Sequence, residues 1–248
     1  MVLKNKVVLI TGASGGIGKA TSMKFAQEGA SLVLVYNQKN ESLRELEEKL
    51  TKNHTSFSSF QTDLTKLADI RNLFSSIKER YRNVDVLVNI AGIEPVSHDP
   101  LDTEQWKRVF DVNLFAPIEC TREAVKLMQK GSVVINISSV AGKTGTTYDF
   151  SATSYAVSKA ALSKFTEVCA YQFAPKIRFV SIEPGYVKTS MWSDLTKEKE
   201  SLYANKVPIK RFILPEEVGD LIVTVCKNDA LNGQSLTIDG GLSLKYLL

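Results

Sequence analysis

The chain has 248 residues, of which 44% are hydrophobic, with 31 Lys and Arg against 27 Asp and Glu for a net charge of +4. That apolar share excludes intrinsic disorder, and 14 Gly with 7 Pro exclude a collagen-like fibre. No run approaches the roughly 18 apolar residues of a membrane-spanning helix, and the small cationic excess is dispersed, since residues 41–49 and 197–200 mix both signs.

Neither a membrane nor a nucleic acid is therefore expected as a partner. Cys120, Cys169 and Cys226 are odd in number and far apart, so they make no disulfide framework. His54 and His98 have no neighbouring Cys or second His, and no metal site is expected. The opening MVLKNKVVLI lacks a small-residue cleavage site, which points to a cytoplasmic protein.

Along the chain, short apolar runs alternate with longer helical patterns. Strands are expected at residues 7–11, 32–36, 84–89, 133–138, 179–183 and 235–238, with a less apolar one at 58–62. Most are apolar on both faces, as a parallel strand covered by helices on each side must be. Helices are expected at 17–28, 41–52, 66–81, 103–129, 154–173 and 215–227, the last opened by Pro215-Glu-Glu. Such alternation predicts a single α/β domain spanning 1–248, a doubly wound parallel sheet of about seven strands.

The first strand runs into Thr11-Gly-Ala-Ser-Gly-Gly-Ile-Gly18. A Walker A loop fails here, because Gly12 is one residue too far from Gly18-Lys19 and Ala20 replaces the metal-binding hydroxyl. Gly12-Ala-Ser14-Gly-Gly16 matches a hydrolase nucleophile elbow, but that turn normally follows several earlier strands. The remaining readings are a ligand-free βα turn and a dinucleotide turn. In the latter, Gly12, Gly16 and Gly18 let the backbone approach a pyrophosphate at a helix N-terminus.

The glycine pattern resembles that of the short-chain dehydrogenase/reductase family. Family-like segments recur in order: Asp63-Leu64, Asn89-Ile-Ala-Gly92, Asn113, Ser138-Ser139, Tyr155-Ala-Val-Ser-Lys159, Pro184-Gly-Tyr-Val-Lys-Thr189 and Asp239-Gly-Gly241. The resemblance implies a Rossmann-type oxidoreductase, with Gly12, Ser14, Gly15, Gly16, Ile17, Gly18, Tyr36, Asn37, Asp63, Leu64, Asn89, Ala91, Gly92, Pro184, Gly185, Val187 and Thr189 around the cofactor. Ile90 departs from the Asn that many relatives carry, and the stretch 146–153 between Ser139 and Tyr155 is longer than is common in the family.

Tyr155 and Lys159, four apart in a helical pattern, share a face. A free tyrosine, with a pKa near ~10, exchanges its proton poorly at neutral pH, and a nearby ammonium is expected to lower that value. Ser139, at a strand end, can hydrogen-bond a substrate oxygen, although strand alternation alone does not choose it over Ser138. By resemblance, Tyr155 is the general acid, Lys159 also binds the nicotinamide ribose, and Asn113 holds a relay water.

An NAD site usually ends its second strand on a carboxylate that bonds the ribose hydroxyl. Here Tyr36-Asn37-Gln38-Lys39 carries none before Glu41, so Asn37 and Lys39 favour NADP(H), while Gly15, where NADP-using relatives often have Arg or Lys, keeps NAD(H) open. Residues 189–208 are expected to form a substrate flap, with Met191, Trp192, Leu195, Leu202 and Tyr203 as an apolar lid. The pattern Val207-Pro-Ile-Lys-Arg-Phe212 is similar to that of bacterial 3-oxoacyl-carrier-protein reductases. That similarity implies an acyl-thioester or other carbonyl/alcohol substrate, with an acyl carrier protein docked at Lys130 and Lys176. A sugar or alcohol dehydrogenase, and a regulator that senses the dinucleotide without chemistry, are the alternatives. Relatives pair their long helices into tetramers, and a homotetramer is expected.

Overall fold

In the computed structural model, which describes residues 1–38, 40–144, 152–189, 192 and 195–247, seven strands form one sheet. They are β1 (Val7–Thr11), β2 (Ser31–Tyr36), β3 (Phe57–Gln61), β4 (Val86–Asn89), β5 (Ser132–Ile137), β6 (Ile177–Pro184) and β7 (Ser235–Ile238). Their order is β3-β2-β1-β4-β5-β6-β7, with every neighbouring pair parallel.

Side-chain alternation divides β1 between two cores. Val8 and Ile10 pack with Phe25 of α1 (Gly16–Gln27), Leu43, Leu46 and Leu50 of α2 (Glu41–Lys52), and Ile222 of α9 (Pro215–Lys227). Val7 and Leu9 face Ile70, Leu73 and Phe74 of α3 (Leu67–Tyr81). With them lie Cys120 of α5 (Ala116–Ala124) and Cys169 of α7 (Thr153–Phe173). All three cysteines are buried, as packing thiols should be.

The expected helix over 103–129 is interrupted and shorter. α4 (Thr103–Phe110) passes into a π-helical segment, Asp111–Phe115, before α5. The chain then turns, because the Leu127 amide donates to Ala124 and the Leu127 carbonyl accepts the Val84 amide at 3.2 Å. Val84 donates there and not to a neighbouring strand, and β4 begins at Val86 and not at residue 84. A four-residue α6 (Ala141–Thr144) precedes α7, and α8 (Lys197–Lys206) lies within the expected flap. Strand order reverses between β1 and β4, and in such sheets ligands bind at the carboxyl ends beside that reversal.

Candidate active site

The glycine turn sits at the carboxyl end of β1. Gly12 has φ +68°, and a Cβ there would stand 2.8 Å from the Ala91 amide nitrogen. At Gly18 a Cβ would come within 2.2 Å of the Gly12 carbonyl oxygen, and at Gly16 within 2.9 Å of Thr189 Cγ2. The turn therefore packs tightly on the loops after β4 and β6, while Thr11 Oγ1 accepts the Ile90 and Ala91 amides. No side chain caps the N-terminus of α1, and its first turn holds no acid. Its free N–H groups and positive dipole end fit a pyrophosphate.

The other expected cofactor residues divide between cavity and scaffold. Pro184, Gly185, Val187, Thr189, Ile17 and Gly92 line the cavity. Tyr36 is half-buried, Asn37 is exposed, and the Asn37 carbonyl accepts Gln61 Nε2 at 2.9 Å. Ser14 offers its carbonyl to Asn40 Nδ2 at 3.4 Å. Asp63 is held by the Thr65 hydroxyl and amide, and these bonds, aided by Lys66, keep its carboxyl below the usual range. Leu64 packs on the core beside α3.

Asn89 does not face the cavity with its side chain. Its Nδ2 donates to Asn136 Oδ1 at 2.8 Å, and Asn136 in turn donates to Thr166 of α7, so Asn89 ties the sheet to that helix. Lys39, Met191 and the stretch 145–151 lie outside the described residues.

α7 carries Tyr155 and Lys159 beneath the carboxyl end of β5. Lys159 Nζ donates to the Ile137 carbonyl at 2.8 Å and lies 5.6 Å from the Tyr155 ring centroid. The two serines are unlike. Ser138 Oγ donates to the Lys159 carbonyl at 2.7 Å and accepts from Ser163, which pins α7 to the sheet. Ser139 instead reaches the Tyr155 hydroxyl. Asn113 sits mid-way in the π-helical segment, fully buried, accepting the Ile93 amide and donating to the Ile93 carbonyl and Ser158. The widened turn is what lets that side chain reach inward. Gly92 leaves room for this group, since a Cβ would meet Asn113 Oδ1 and Lys159 Nζ, each at 3.3 Å.

Ser139, Tyr155 and Lys159 open on a cavity of about 400 Å³. Burial and then the Glu94 charge push the Tyr155 hydroxyl up to about 12, against the Ser139 hydrogen bond that lowers it. Burial pulls Lys159 down to about 8. The expected lowering of the tyrosine by the ammonium is not found: burial and Glu94 raise it and the lowering comes from Ser139, while desolvation disfavours the charged form of both Tyr155 and Lys159. The Tyr155 hydroxyl consequently keeps its proton at neutral pH.

Glu94, Tyr186, Lys206, Leu242 and Ser243 also line the cavity and were not singled out from the sequence. Tyr186 stands inside the Pro184–Thr189 segment and could have been found there, whereas Glu94 and Lys206 have no local signal. Lys130 and Lys176, expected to dock a carrier, are exposed but lie just before β5 and β6. They stand at the opposite end of a six-residue strand from Ser139, about 20 Å away at strand rise, and so do not flank this cavity.

A parallel sheet with a pyrophosphate-fitting turn, and a Ser, Tyr and Lys in one cavity beside it, defines a dinucleotide-dependent oxidoreductase. The short chain dehydrogenase family model matches residues 6–200, and the chain belongs to that family. It is an NAD(P)-dependent enzyme of the family. The chain is 34% identical to a 3-oxoacyl-[acyl-carrier-protein] reductase, FabG, of Thermotoga maritima, over 98% of this chain and 99% of the relative. Among solved structures, a short-chain dehydrogenase/reductase from Serratia marcescens superposes with a TM-score of 0.90 at 26% identity, covering 98% of this chain and all of that one. An actinorhodin polyketide ketoreductase variant solved with NADPH superposes with a TM-score of 0.87 at 28% identity, covering 96% and 97% of the two chains.

Proposed function

We propose that this enzyme uses NADPH to reduce 3-oxoacyl thioesters carried on an acyl carrier protein. The observation that carries the reading is the meeting of the Ser139 and Tyr155 hydroxyls at a cavity also lined by Ile17 and Thr189 of the cofactor side. Two donors at one point grip a carbonyl oxygen, and the oxygen that gains charge in the transition state is stabilised more than the ground-state carbonyl. Bound NADPH supplies the hydride. Ser139 orients the carbonyl, and Tyr155 gives its proton to the forming alkoxide. Lys159, held by Ile137, is placed to bind the nicotinamide ribose and to support the phenolate left behind. Asn113 holds the loop at Ile93 through two hydrogen bonds and keeps the floor of the cavity in place.

The cofactor preference rests on the end of β2, where no carboxylate lies between Tyr36 and Glu41 to repel a 2′-phosphate and Asn37 is free to solvent. The substrate class rests on the name of the Thermotoga maritima relative. Phe115, Val168 and Tyr171 leave 52, 48 and 89% of their surface exposed, and we place a homotetramer contact on these helix faces. Sedimentation at micromolar concentration should show four copies, and a monomer would contradict that contact.

Calorimetric titration with NADPH and then NADH tests the cofactor, followed by assay of an acetoacetyl thioester against sugars and simple alcohols. Tighter NADPH binding with turnover of the thioester is expected. An NADH preference with turnover of a sugar or alcohol would replace this reading with a catabolic dehydrogenase, and binding without any turnover would favour a sensor.

A further inference from the structure

The outer wall of the cavity is aromatic: Tyr186 and Trp192 line it, and Tyr203 and Phe212 stand behind them. Tyr186 lies 5.3 Å from Trp192, 5.6 Å from Tyr203 and 5.9 Å from Phe212, ring centroid to centroid, and Trp192 lies 5.3 Å from Tyr203. These rings come from the loop after β6, the stretch before α8, α8 itself and the segment leading to α9. A cation stands on this box. Lys206 Nζ is 4.8 Å from the Tyr203 ring centroid, and Lys206 lines the same cavity as Tyr155.

A lysine ending a helix is ordinarily solvated or ion-paired, as Lys227 at the end of α9 is with Glu28. Lys206 is exposed, but among the described residues no carboxylate lies within ion-pair distance of it, and its ammonium stands over the Tyr203 ring face. Among the described residues, the charged side chains lining the cavity are Glu94, Lys159 and Lys206. Lys159 is committed to the Ile137 carbonyl beneath the reacting end, and the Glu94 charge acts on Tyr155 there. The cation left for the outer wall is Lys206.

We propose that the cavity takes a carbonyl substrate whose apolar chain lies on Tyr186 and Trp192 and whose anionic group, a carboxylate or a phosphate, is bound by Lys206. Glu94 sets the direction, because an anion at the reacting end would meet its carboxylate, whereas one at the outer wall meets an ammonium. The substrate is thus oriented with its carbonyl at Ser139 and Tyr155. This deepens the reductase reading above and rests on it.

Two matched pairs test the proposal by steady-state kinetics with NADPH. One compares an acetoacetyl thioester of N-acetylcysteamine with that of 4′-phosphopantetheine; the other compares a ketone ending in a carboxylate with its methyl ester. At low salt, at least one anionic member should show a KM about ten-fold below its neutral partner, the scale of one charge-assisted hydrogen bond. Lys206→Met should collapse that ratio to near one, and Lys206→Arg should preserve most of it. Discrimination within the thioester pair assigns the anion to the carrier's phosphate; discrimination within the ketone pair assigns it to the substrate's own carboxylate. A ratio that survives in Lys206→Met, or equal KM values within both pairs, would overturn the anion site while leaving the reductase reading intact. Turnover of no member would overturn both.

Discussion

The glycine turn, which reaches the cavity through Ile17, and the aromatic wall, which reaches it through Tyr186 and Trp192, are built differently. In the turn, backbone meets backbone: Gly12 lies against the Ala91 amide, and a Cβ at Gly18 would strike the Gly12 carbonyl, so a single added methyl has nowhere to go. In the wall, side chain meets side chain, and four rings from separate segments share the burial. A pyrophosphate looks alike in every dinucleotide and can be read by a fixed run of N–H groups. A substrate chain varies, and pliable aromatic packing suits it. The contrast predicts that substitutions in the turn act through stability and cofactor affinity, and those in the wall through substrate KM.

The largest effect is expected at Gly12→Ala, where a positive φ and the Ala91 clash together should cost about 3 kcal/mol and lower Tm. Gly15→Ala is the control that sharpens the point. Its φ of −84° suits any residue and its nearest neighbour would be 3.4 Å away, so a loss under about 1 kcal/mol is expected in the same melt. On the wall, Trp192→Ala should raise substrate KM about ten-fold while NADPH still titrates, the scale of one lost aromatic contact. If Trp192→Ala instead abolished NADPH binding, the division between the two sides would fail.

Two smaller effects concern pH. Lys159 is pulled down to about 8 and is charged below that value, so NADPH affinity should weaken as pH rises through about 8. Tyr155, pushed up to about 12, keeps its proton across that range, and the decline in reduction should follow Lys159. Glu94→Gln removes a charge that raises Tyr155. The alkaline rise of the reverse reaction, alcohol oxidation, should then begin at lower pH.

The sheet, the glycine turn and the Tyr155–Lys159 pair were legible because their constraints are local. Continuous apolar runs marked the parallel strands, and short spacings placed Gly12, Gly16, Gly18, Tyr155 and Lys159. What failed depended on distant partners. Asn89 turned to Asn136 on the next strand, the helix over 103–129 was broken by the π-helical segment that buries Asn113 and ended at Ala124, and Ser138 parted from Ser139 only through contacts with Lys159 and Ser163. Glu94 and Lys206 carry no local pattern, since a charged residue in a loop or at a helix end is common and only the fold brings either one to the cavity.

The central claim is that the Tyr155 hydroxyl delivers the proton in an NADPH-dependent carbonyl reduction. Its direct test is the turnover number for an acetoacetyl thioester in the native enzyme and in Tyr155→Phe, with NADPH affinity measured for both. The variant should bind NADPH comparably and lose about a hundred-fold or more in kcat, the usual contribution of a positioned general acid. Full turnover in Tyr155→Phe would contradict the account.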